Sequence, residues 1–293
     1  MKRREFLWQT GALAAGGLLV PQFLNAASRE PIGLQLYTVR SLLEQDLKGT
    51  LQKVADIGFK NMESAAGSKG HYYGLKPKEF SKMLKDMGMK LRSSHVKVGY
   101  NAGSNKPKNE TLTYDLQKLV DMAAEAGQDY LTCAYLDPHE RTKLDDYKSH
   151  IELFNRAGEA CKKAGIKFAY HNHDFEFVPM DGQVPYDLLL SQTDKDLVKM
   201  ELDLYWVIKI GKDPLELFRN HPGRFAMWHV KDIDRTEKRF FTEVGNGTID
   251  FKPIFAASKT AGMKYYFVEQ DITPGNPMDS ITTSYRNLKR ILA

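Results

Sequence analysis

Cysteine is scarce in this chain of 293 residues, which contains only Cys133 and Cys161. One lies in a predicted strand and the other in a predicted helix, where a buried thiol behaves as a small apolar side chain. The two cysteines therefore predict no disulfide framework and do not report the redox compartment.

Net charge is also low. The 42 basic and 37 acidic side chains leave a formal charge of +5, of which residues 2–5 (KRRE) contribute +2, so the rest of the chain carries +3. So weak a bias does not provide the basic surface of a nucleic-acid-binding protein. The sequence has no Pro/Ser-rich linker or low-complexity tract, and its charged fraction of 27% argues against a multispan membrane protein. These absences predict one compact domain.

The first 27 residues differ from the rest. Residues 2–4 are basic, residues 11–20 form an apolar run and residues 26–27 are small. This order predicts a cleaved export signal of the twin-arginine type over residues 1–27, and hence a periplasmic protein. An uncleaved membrane anchor is the alternative, although about ten apolar residues are too few to span a bilayer comfortably. We expect residues 28–293 to form the catalytic domain.

From residue 32 onward, short strand-like runs alternate with amphipathic helical stretches, which indicates βαβ units and a parallel sheet. The predicted strands cover residues 32–39, 60–65, 90–96, 130–136, 167–173, 198–206, 225–233 and 264–271. Eight such units in a chain of this length favour an α/β fold of the (β/α)8 TIM-barrel class. A doubly wound open sheet is the alternative, but it usually has fewer strands, and no glycine-rich phosphate turn follows the first strand here.

Polar side chains gather where the predicted strands end, at the face where barrel enzymes place their active sites. Because strand side chains alternate, His171 and His173 point the same way as Ala169, and Glu201 shares a face with Asp203. The full set comprises Glu63, His95, His171, His173, Glu201, Asp203, His229 and Glu269. Buried carboxylates need a compensating charge, which one divalent ion would supply. Mixed imidazole and carboxylate ligands suit Mn, Co, Zn or Fe(II).

The members of this set differ in how strongly they point to metal. Asp203, His229 and Glu269 together are favoured as ligands, whereas His171 is equally open to a ligand role and a structural one. Glu201 and Glu63 are expected to support the site rather than to bind the ion. His95 is either a substrate contact or a core histidine.

Five segments carry a resemblance to a known family. They read YHNHDFEF, ELDLYWV, WHVKD, VGNGTIDF and FVEQD, at residues 170–177, 201–207, 228–232, 244–251 and 267–271. With these segments, residues 32–293 resemble the xylose isomerase-like barrel superfamily, the sugar phosphate isomerase/epimerase group that includes endonuclease IV, inosose dehydratase and ketose 3-epimerases. The resemblance implies a metal-dependent enzyme that abstracts a proton next to a carbonyl of a sugar.

The resemblance also implies a ligand set. In the epimerase branch a Glu, an Asp, a His and a Glu from the fifth to eighth strands hold one metal, and the last three match Asp203, His229 and Glu269. His171 stands where the epimerases have their first Glu, which serves them as one of two proton-transfer bases. Its replacement argues against simple 3-epimerisation. Either His171 or Glu176 completes the predicted metal site.

The motifs are similar to those of secreted 3-keto-glycoside lyase/hydratase and inosose dehydratase-like members, which implies β-elimination on an unphosphorylated keto-sugar. His173 is then the expected base, Lys231 an expected contact to the developing oxyanion, and Glu269 a catalytic group as well as a ligand. A salt bridge from Lys231 to Asp203 or Glu201 is the alternative. The expected substrate contacts come from His95, Glu63, Trp206 and Glu201.

Two other functions remain open at this point, a sugar isomerase/epimerase and a non-catalytic periplasmic sugar-binding protein. The low charge and the total of eight histidines argue against DNA repair of the endonuclease IV type. We expect a small carbohydrate as the substrate, no nucleic acid and no membrane contact beyond the export signal. The sequence leaves a homo-oligomer open.

Overall fold

The structure is a computed structural model that describes residues 30–99 and 110–293. Eight parallel strands form a closed barrel, which confirms the predicted TIM barrel. The barrel strands are β1 (Gly33–Gln35), β2 (Asn61–Ala65), β3 (Lys90–Lys97), β4 (Tyr130–Tyr135), β5 (Lys167–His171), β6 (Val198–Asp203), β7 (Met227–Val230) and β10 (Tyr265–Val268). Their order around the barrel is β1-β10-β7-β6-β5-β4-β3-β2, and pairing of Gly33 with Phe267 closes it between the first and last strands. The predicted export signal at residues 1–27 lies outside the described residues.

Helices surround the barrel. Those in the described ranges are α1 (Arg40–Gln45), α2 (Leu47–Ile57), α3 (Pro77–Asp86), α4 (Leu112–Glu125), α5 (Leu144–Lys163), α6 (Pro185–Gln192), α7 (Leu204–Lys209), α8 (Pro214–Asn220), α9 (Phe251–Ala256), α10 (Ser258–Ala261) and α11 (Pro277–Ile291). A short antiparallel hairpin, β8 (Asp232–Ile233) and β9 (Phe241–Thr242), follows β7. Within these ranges no helix combines the length and the apolar character that crossing a bilayer requires.

Two apolar layers hold the barrel together. The larger layer fills the space between strands and helices, with buried side chains such as Phe154, Trp228 and Phe255. A smaller cluster lies inside the barrel, formed by Tyr130, Ala169, Ala226, Met227 and Phe267. The ring of Phe267 contacts the imidazole of His229 edge-on, with centroids 6.3 Å apart, so the inner cluster forms the floor beneath the polar site.

Several of the predicted strands are too long at their carboxyl ends, and capping of the next helix explains two of these differences. Residues 36–39 form a 3-10 helix, since the side chain of Gln35 accepts a hydrogen bond from the Tyr37 amide at 3.0 Å. Residues 204–206 belong to α7, since the Asp203 carboxylate accepts from the Trp206 amide at 3.1 Å. In both places the last polar residue of the strand caps the helix that follows, and this ends the extended conformation.

The opposite, amino-terminal face of the barrel is tied together by polar contacts. Arg92 donates to Asn61 Oδ1 at 2.8 Å and to Asp129 Oδ2 at 2.9 Å. The Tyr266 hydroxyl donates to the carbonyl of Glu30 at 2.9 Å, which fixes the chain just before β1. These contacts join strands that are distant in sequence.

The loop after the hairpin, residues 244–250, is held by one carboxylate. Asp232 accepts hydrogen bonds from the amides of Ile233, Gly245, Gly247 and Ile249, at 2.8 to 3.1 Å. A Cβ at Gly247 would lie 2.3 Å from Asp232 Oδ1, so only glycine permits this close approach. The resulting turn leads directly into α9 beside the active-site face.

Candidate metal centre

Four buried side chains converge at the carboxyl end of the barrel. They come from four neighbouring strands of the barrel: His171 ends β5, Asp203 ends β6, His229 lies in β7 and Glu269 follows β10. One ligand atom from each lies within 4.8 Å of the others. The four side chains are 0 to 4% exposed, so little water is available to solvate their charges. We call these residues the upper cluster.

The two histidines of the upper cluster are oriented by outside partners. His171 donates from Nδ1 to the carbonyl of Ala134 at 3.0 Å, which turns its Nε2 toward Asp203 Oδ2 at 3.2 Å. His229 Nε2 lies 2.6 Å from Glu63 Oε2, which leaves its Nδ1 for the cluster. A partner on the far ring nitrogen is the usual way in which proteins orient metal-binding imidazoles.

The donor atoms fit a divalent cation. His229 Nδ1 is 2.7 Å from Glu269 Oε2 and 3.9 Å from Asp203 Oδ2, yet this nitrogen makes no hydrogen bond with the described residues. A buried nitrogen and a carboxylate oxygen that lie this close without a hydrogen bond between them are donors that a shared cation would satisfy. Two imidazoles and two carboxylates form a donor set suited to Zn, Mn, Co or Fe(II).

Lys231 neutralises part of the negative charge in the upper cluster. Its ammonium lies 2.8 Å from Asp203, 2.6 Å from Glu269 and 2.8 Å from Asp271. Burial alone would lower the pKa of Lys231, but the three carboxylates outweigh burial and hold this pKa well above its usual value. Despite their own burial, the same contacts keep the pKa of Asp203 and of Glu269 low. Lys231 is therefore a fixed cation, paired with Asp203 as the alternative interpretation of the sequence allowed.

Asp271 is a site residue that the sequence reasoning missed. Burial raises the pKa of its carboxyl group, and its contact with Lys231 places it at the edge of the upper cluster. The signal was available, since Asp271 follows Glu269 by two residues in the eighth strand region and alternation puts both on one face. Gln35 was also missed, although it stands as a polar residue within the apolar run of the first strand.

A second group of polar side chains lies beside the upper cluster. It consists of Glu63, His95 and Glu201, which lie near His229 on the side of its Nε2 atom. We call these three residues with His229 the lower cluster. His95 Nε2 lies 2.7 Å from Glu201 Oε2 and 3.2 Å from Glu63 Oε2. Burial would lower the pKa of His95, but the charges of Glu63 and Glu201 raise it to about 9. Gln35 donates to Glu63 Oε2 at 2.8 Å and fixes that carboxylate.

A cavity of about 530 Å³ opens above the two clusters. Its volume is in the range of small-molecule sites. The residues that line it include Tyr37, His95, Lys97, Tyr135, His171, His173, Glu269 and Asp271. Of the four expected substrate contacts, His95 is among these lining residues, whereas Glu63 and Glu201 are fully buried behind it.

His173 lies at the wall of this cavity, just past the end of β5. Its ring contacts Tyr135 edge-on with centroids 4.8 Å apart and stacks on Phe175 at 5.4 Å. Trp206 packs against the same imidazole at 5.6 Å, so it positions His173. The Nδ1 atom of His173 is buried and makes no hydrogen bond with any described residue. Burial, with His171 and Lys231 nearby, holds the pKa of His173 well below its usual value, so the ring is neutral.

Of the two candidates for the fourth ligand, only His171 lies in the upper cluster. Glu176 accepts hydrogen bonds from the Tyr170 hydroxyl at 2.6 Å and from the His173 amide at 2.8 Å. These contacts use both carboxylate oxygens away from the upper cluster, which has His171 in the fourth position. Glu176 therefore supports the segment that carries His173.

Comparisons with known proteins agree with the fold. The inosose dehydratase of Lacticaseibacillus casei is 26% identical over 249 residues, which cover 73% of this chain and 82% of that protein. The crystal structure of a sugar phosphate isomerase/epimerase from Parabacteroides distasonis is 30% identical, with a TM-score of 0.72, over 88% of this chain and 93% of that one. The IOLI protein, whose crystal structure holds a zinc atom, shares the fold with a TM-score of 0.70 at 13% identity, over 90% of this chain and 98% of that one.

These relatives confirm the prediction that the chain is an enzyme of the sugar lyase or isomerase/epimerase kind. The family described as xylose isomerase-like TIM barrel matches residues 51–291, which span the barrel from α2 to α11. The chain belongs to the xylose isomerase-like TIM barrel family.

Proposed function

We propose that this protein is a divalent-metal-dependent lyase or hydratase that acts on an unphosphorylated keto-sugar or 3-keto-glycoside. The observation that carries the proposal is the neutral, unpartnered imidazole of His173 at the cavity wall, next to the upper cluster. A base at the wall of the cavity favours elimination. His171 favours it as well, because it stands where the epimerases have a Glu that serves as one of their two proton-transfer bases. The inosose dehydratase relative supports the same reaction type.

The reaction is a β-elimination next to a ketone. His173 takes the proton from the carbon beside the ketone, the electron pair of that C–H bond forms a carbon–carbon double bond, and the bond to the β-substituent breaks. The leaving group departs with its bonding electrons and takes up a proton. In the reverse direction water adds to the double bond.

Other residues of the site support this step. His171, Asp203, His229 and Glu269 would hold the ion, which supplies Lewis-acid stabilisation of the substrate oxygen when bound. The ammonium of Lys231 already faces Asp203, Glu269 and Asp271, so it would stabilise the developing oxyanion through its fixed positive charge. The buried position of His173 keeps it neutral and therefore able to accept a proton at neutral pH.

We also propose that the protein works in the periplasm, exported with the predicted signal at residues 1–27. This location supports an unphosphorylated substrate, since sugar phosphates are scarce outside the cytoplasm. Zn, Mn, Co and Fe(II) all suit the donor set, and the zinc atom of the IOLI protein supports zinc among them.

Purified protein loaded with Mn or Co and given a 3-keto-glucoside should release the aglycone. His173→Gln should lower kcat by on the order of 10²- to 10⁴-fold with unchanged metal content, because it removes the base alone. Asp203→Asn should lose both activity and the ion of the upper cluster, measured by elemental analysis. His139→Gln is the matched control, since His139 is exposed in the 3-10 helix Pro138–Glu140.

Three results would overturn the proposal. Interconversion of ketoses without elimination would identify an isomerase or epimerase. Sugar binding without turnover of any ketose or keto-glycoside would identify a binding protein. Full activity of His173→Gln would remove the assigned base.

A further inference from the structure

We propose that the lower cluster, Glu63, His95, Glu201 and His229, is a second divalent-cation site, so that the enzyme carries two ions that share the imidazole of His229. The proposal rests on the metal role of the upper cluster in the proposed function. It assigns Glu63 and Glu201 as ligands, although the sequence suggests that they only support the site.

The geometry of the lower cluster supports binding of an ion. One donor atom from each of its four residues lies within 4.8 Å of the others. The separations are 2.6 Å from His229 Nε2 to Glu63 Oε2, 2.7 Å from His95 Nε2 to Glu201 Oε2, and 3.4 Å from His229 Nε2 to Glu201 Oε1. A tetrahedron with bonds of about 2.1 Å has edges of about 3.4 Å, so the donors need only small outward shifts to surround zinc.

Two buried oxygen atoms point to the same conclusion. Glu63 Oε1 and Glu201 Oε1 make no hydrogen bond within residues 30–99 and 110–293, and both side chains are fully buried. Leaving a carboxylate oxygen buried without a partner costs several kcal/mol, so such atoms call for a ligand. A cation held between Glu201 Oε1 and His229 Nε2, which lie 3.4 Å apart, would give the first of these oxygens a partner in place of water.

The charge of the combined site leaves room for a second ion. The two clusters and their edge contain five carboxylates, from Glu63, Glu201, Asp203, Glu269 and Asp271, and one lysine, Lys231, which contacts the last three of them. Lys231 and one divalent ion offset three of these negative charges, and a second divalent ion offsets the remaining two. The competing compensation is protonation of the imidazoles or of Asp271, which predicts a single ion.

His229 can serve both sites because its two ring nitrogens face different clusters. Nδ1 lies 2.7 Å from Glu269 of the upper cluster, and Nε2 lies 2.6 Å from Glu63 of the lower cluster. The second ion would replace the proton on Nε2, as metal binding to imidazole requires a deprotonated nitrogen. His95 lines the cavity, so the lower cluster can be reached from solvent.

The test counts zinc. The metal-free protein is loaded with excess zinc, desalted and analysed for ions per chain. Wild type should retain two zinc ions, and Glu201→Gln, which leaves the contact between Glu63 and His229 in place, should retain one. Asp203→Asn should also retain one, from the lower cluster. Glu152→Gln, on the exposed side of α5, is the matched control and should retain two.

The outcomes separate this inference from the proposed function. One ion in wild type that Glu201→Gln retains and Asp203→Asn loses overturns the second site alone. Two ions in both wild type and Glu201→Gln also overturn it, because the second ion then binds elsewhere. No bound ion in wild type overturns both proposals. Retention of one ion by Glu201→Gln shows in the same measurement that this variant is folded.

Discussion

At the scale of single residues, the neighbours of a buried group decide whether it carries charge. His173 and His95 are both enclosed, yet His173 stays neutral while His95 has a pKa of about 9. The difference comes from their neighbours, since two carboxylates face His95 whereas His173 lies among aromatic rings. A sequence shows that both are histidines at strand ends, but it does not show which neighbours surround them.

Glu176 gives a test of this principle that does not involve the metal ligands. Burial raises the pKa of its carboxyl group from 4.5 to about 7. The folded state therefore binds the proton more tightly than the unfolded state, and this contribution to stability is present below pH 4.5 and lost as the pH rises to 7. At about 1.4 kcal/mol for each pKa unit, the loss is roughly 3 kcal/mol.

Glu176→Gln removes the ionisation and keeps polar atoms for Tyr170 and His173. We expect the free energy of unfolding of the variant, relative to wild type, to rise between pH 4.5 and 7 by up to roughly 3 kcal/mol. Urea denaturation at a series of pH values measures this difference. A constant difference across the range would show that Glu176 has an ordinary pKa.

Several site residues were predictable one at a time, because strand ends in a barrel point to chemistry. Asp203, His229 and Glu269 do come together with His171 in the structure. The position of Lys231 between three carboxylates was not predictable, because it depends on the distance between strands that pair only after the chain folds. The same holds for Glu63, whose partner His229 is 166 residues away.

At the scale of secondary-structure elements, the strand positions were predictable and several strand ends were not. Runs in which polar and apolar residues alternate, and continuous apolar runs, both indicate the strands well. Each strand must face the barrel interior on one side and the helices on the other. The ends at Gln35 and Asp203 depend on capping, in which a side chain competes for amide groups that an extended strand would otherwise present. The periodicity of apolar residues carries no information about that competition.

Asp232 is an element-scale anchor, because it fastens the loop at residues 244–250 to the strand that follows β7. Asp232→Ala removes four hydrogen bonds to backbone amides and should lower the free energy of unfolding by on the order of 3 kcal/mol. It should also make the hairpin and loop more susceptible to proteolysis. Asp250→Ala, which removes one cap bond to the Lys252 amide, is the matched control and should cost about 1 kcal/mol. Equal effects of the two variants would contradict the anchor role.

At the scale of the whole molecule, stability and chemistry are located at opposite faces of the barrel, as is common in this fold. Arg92 at the amino-terminal face joins Asn61 and Asp129, and its guanidinium also covers the ring of Tyr265 at 4.5 Å. None of these residues belongs to either cluster.

Arg92→Leu should therefore lower stability by about 2 kcal/mol without changing the bound metal or kcat. The melting temperature should fall by several degrees, whereas elemental analysis should give the wild-type metal content. Lys82→Gln, which breaks an exposed ion pair with Asp86, is the control and should have almost no effect on melting. Loss of metal in Arg92→Leu would show that the two faces are coupled.

The hydrogen bond from the Tyr266 hydroxyl to the carbonyl of Glu30 indicates where the protein can be attached to a solid support. It secures the chain at the face opposite the cavity, so a solid support coupled on the amino-terminal side of Glu30 would hold the pocket outward. Substrates too bulky to diffuse around the barrel, such as glycosides attached to a polymer, would still reach the entrance from solution. Immobilisation through this end should thus preserve turnover better than attachment near the cavity, for example at Lys97.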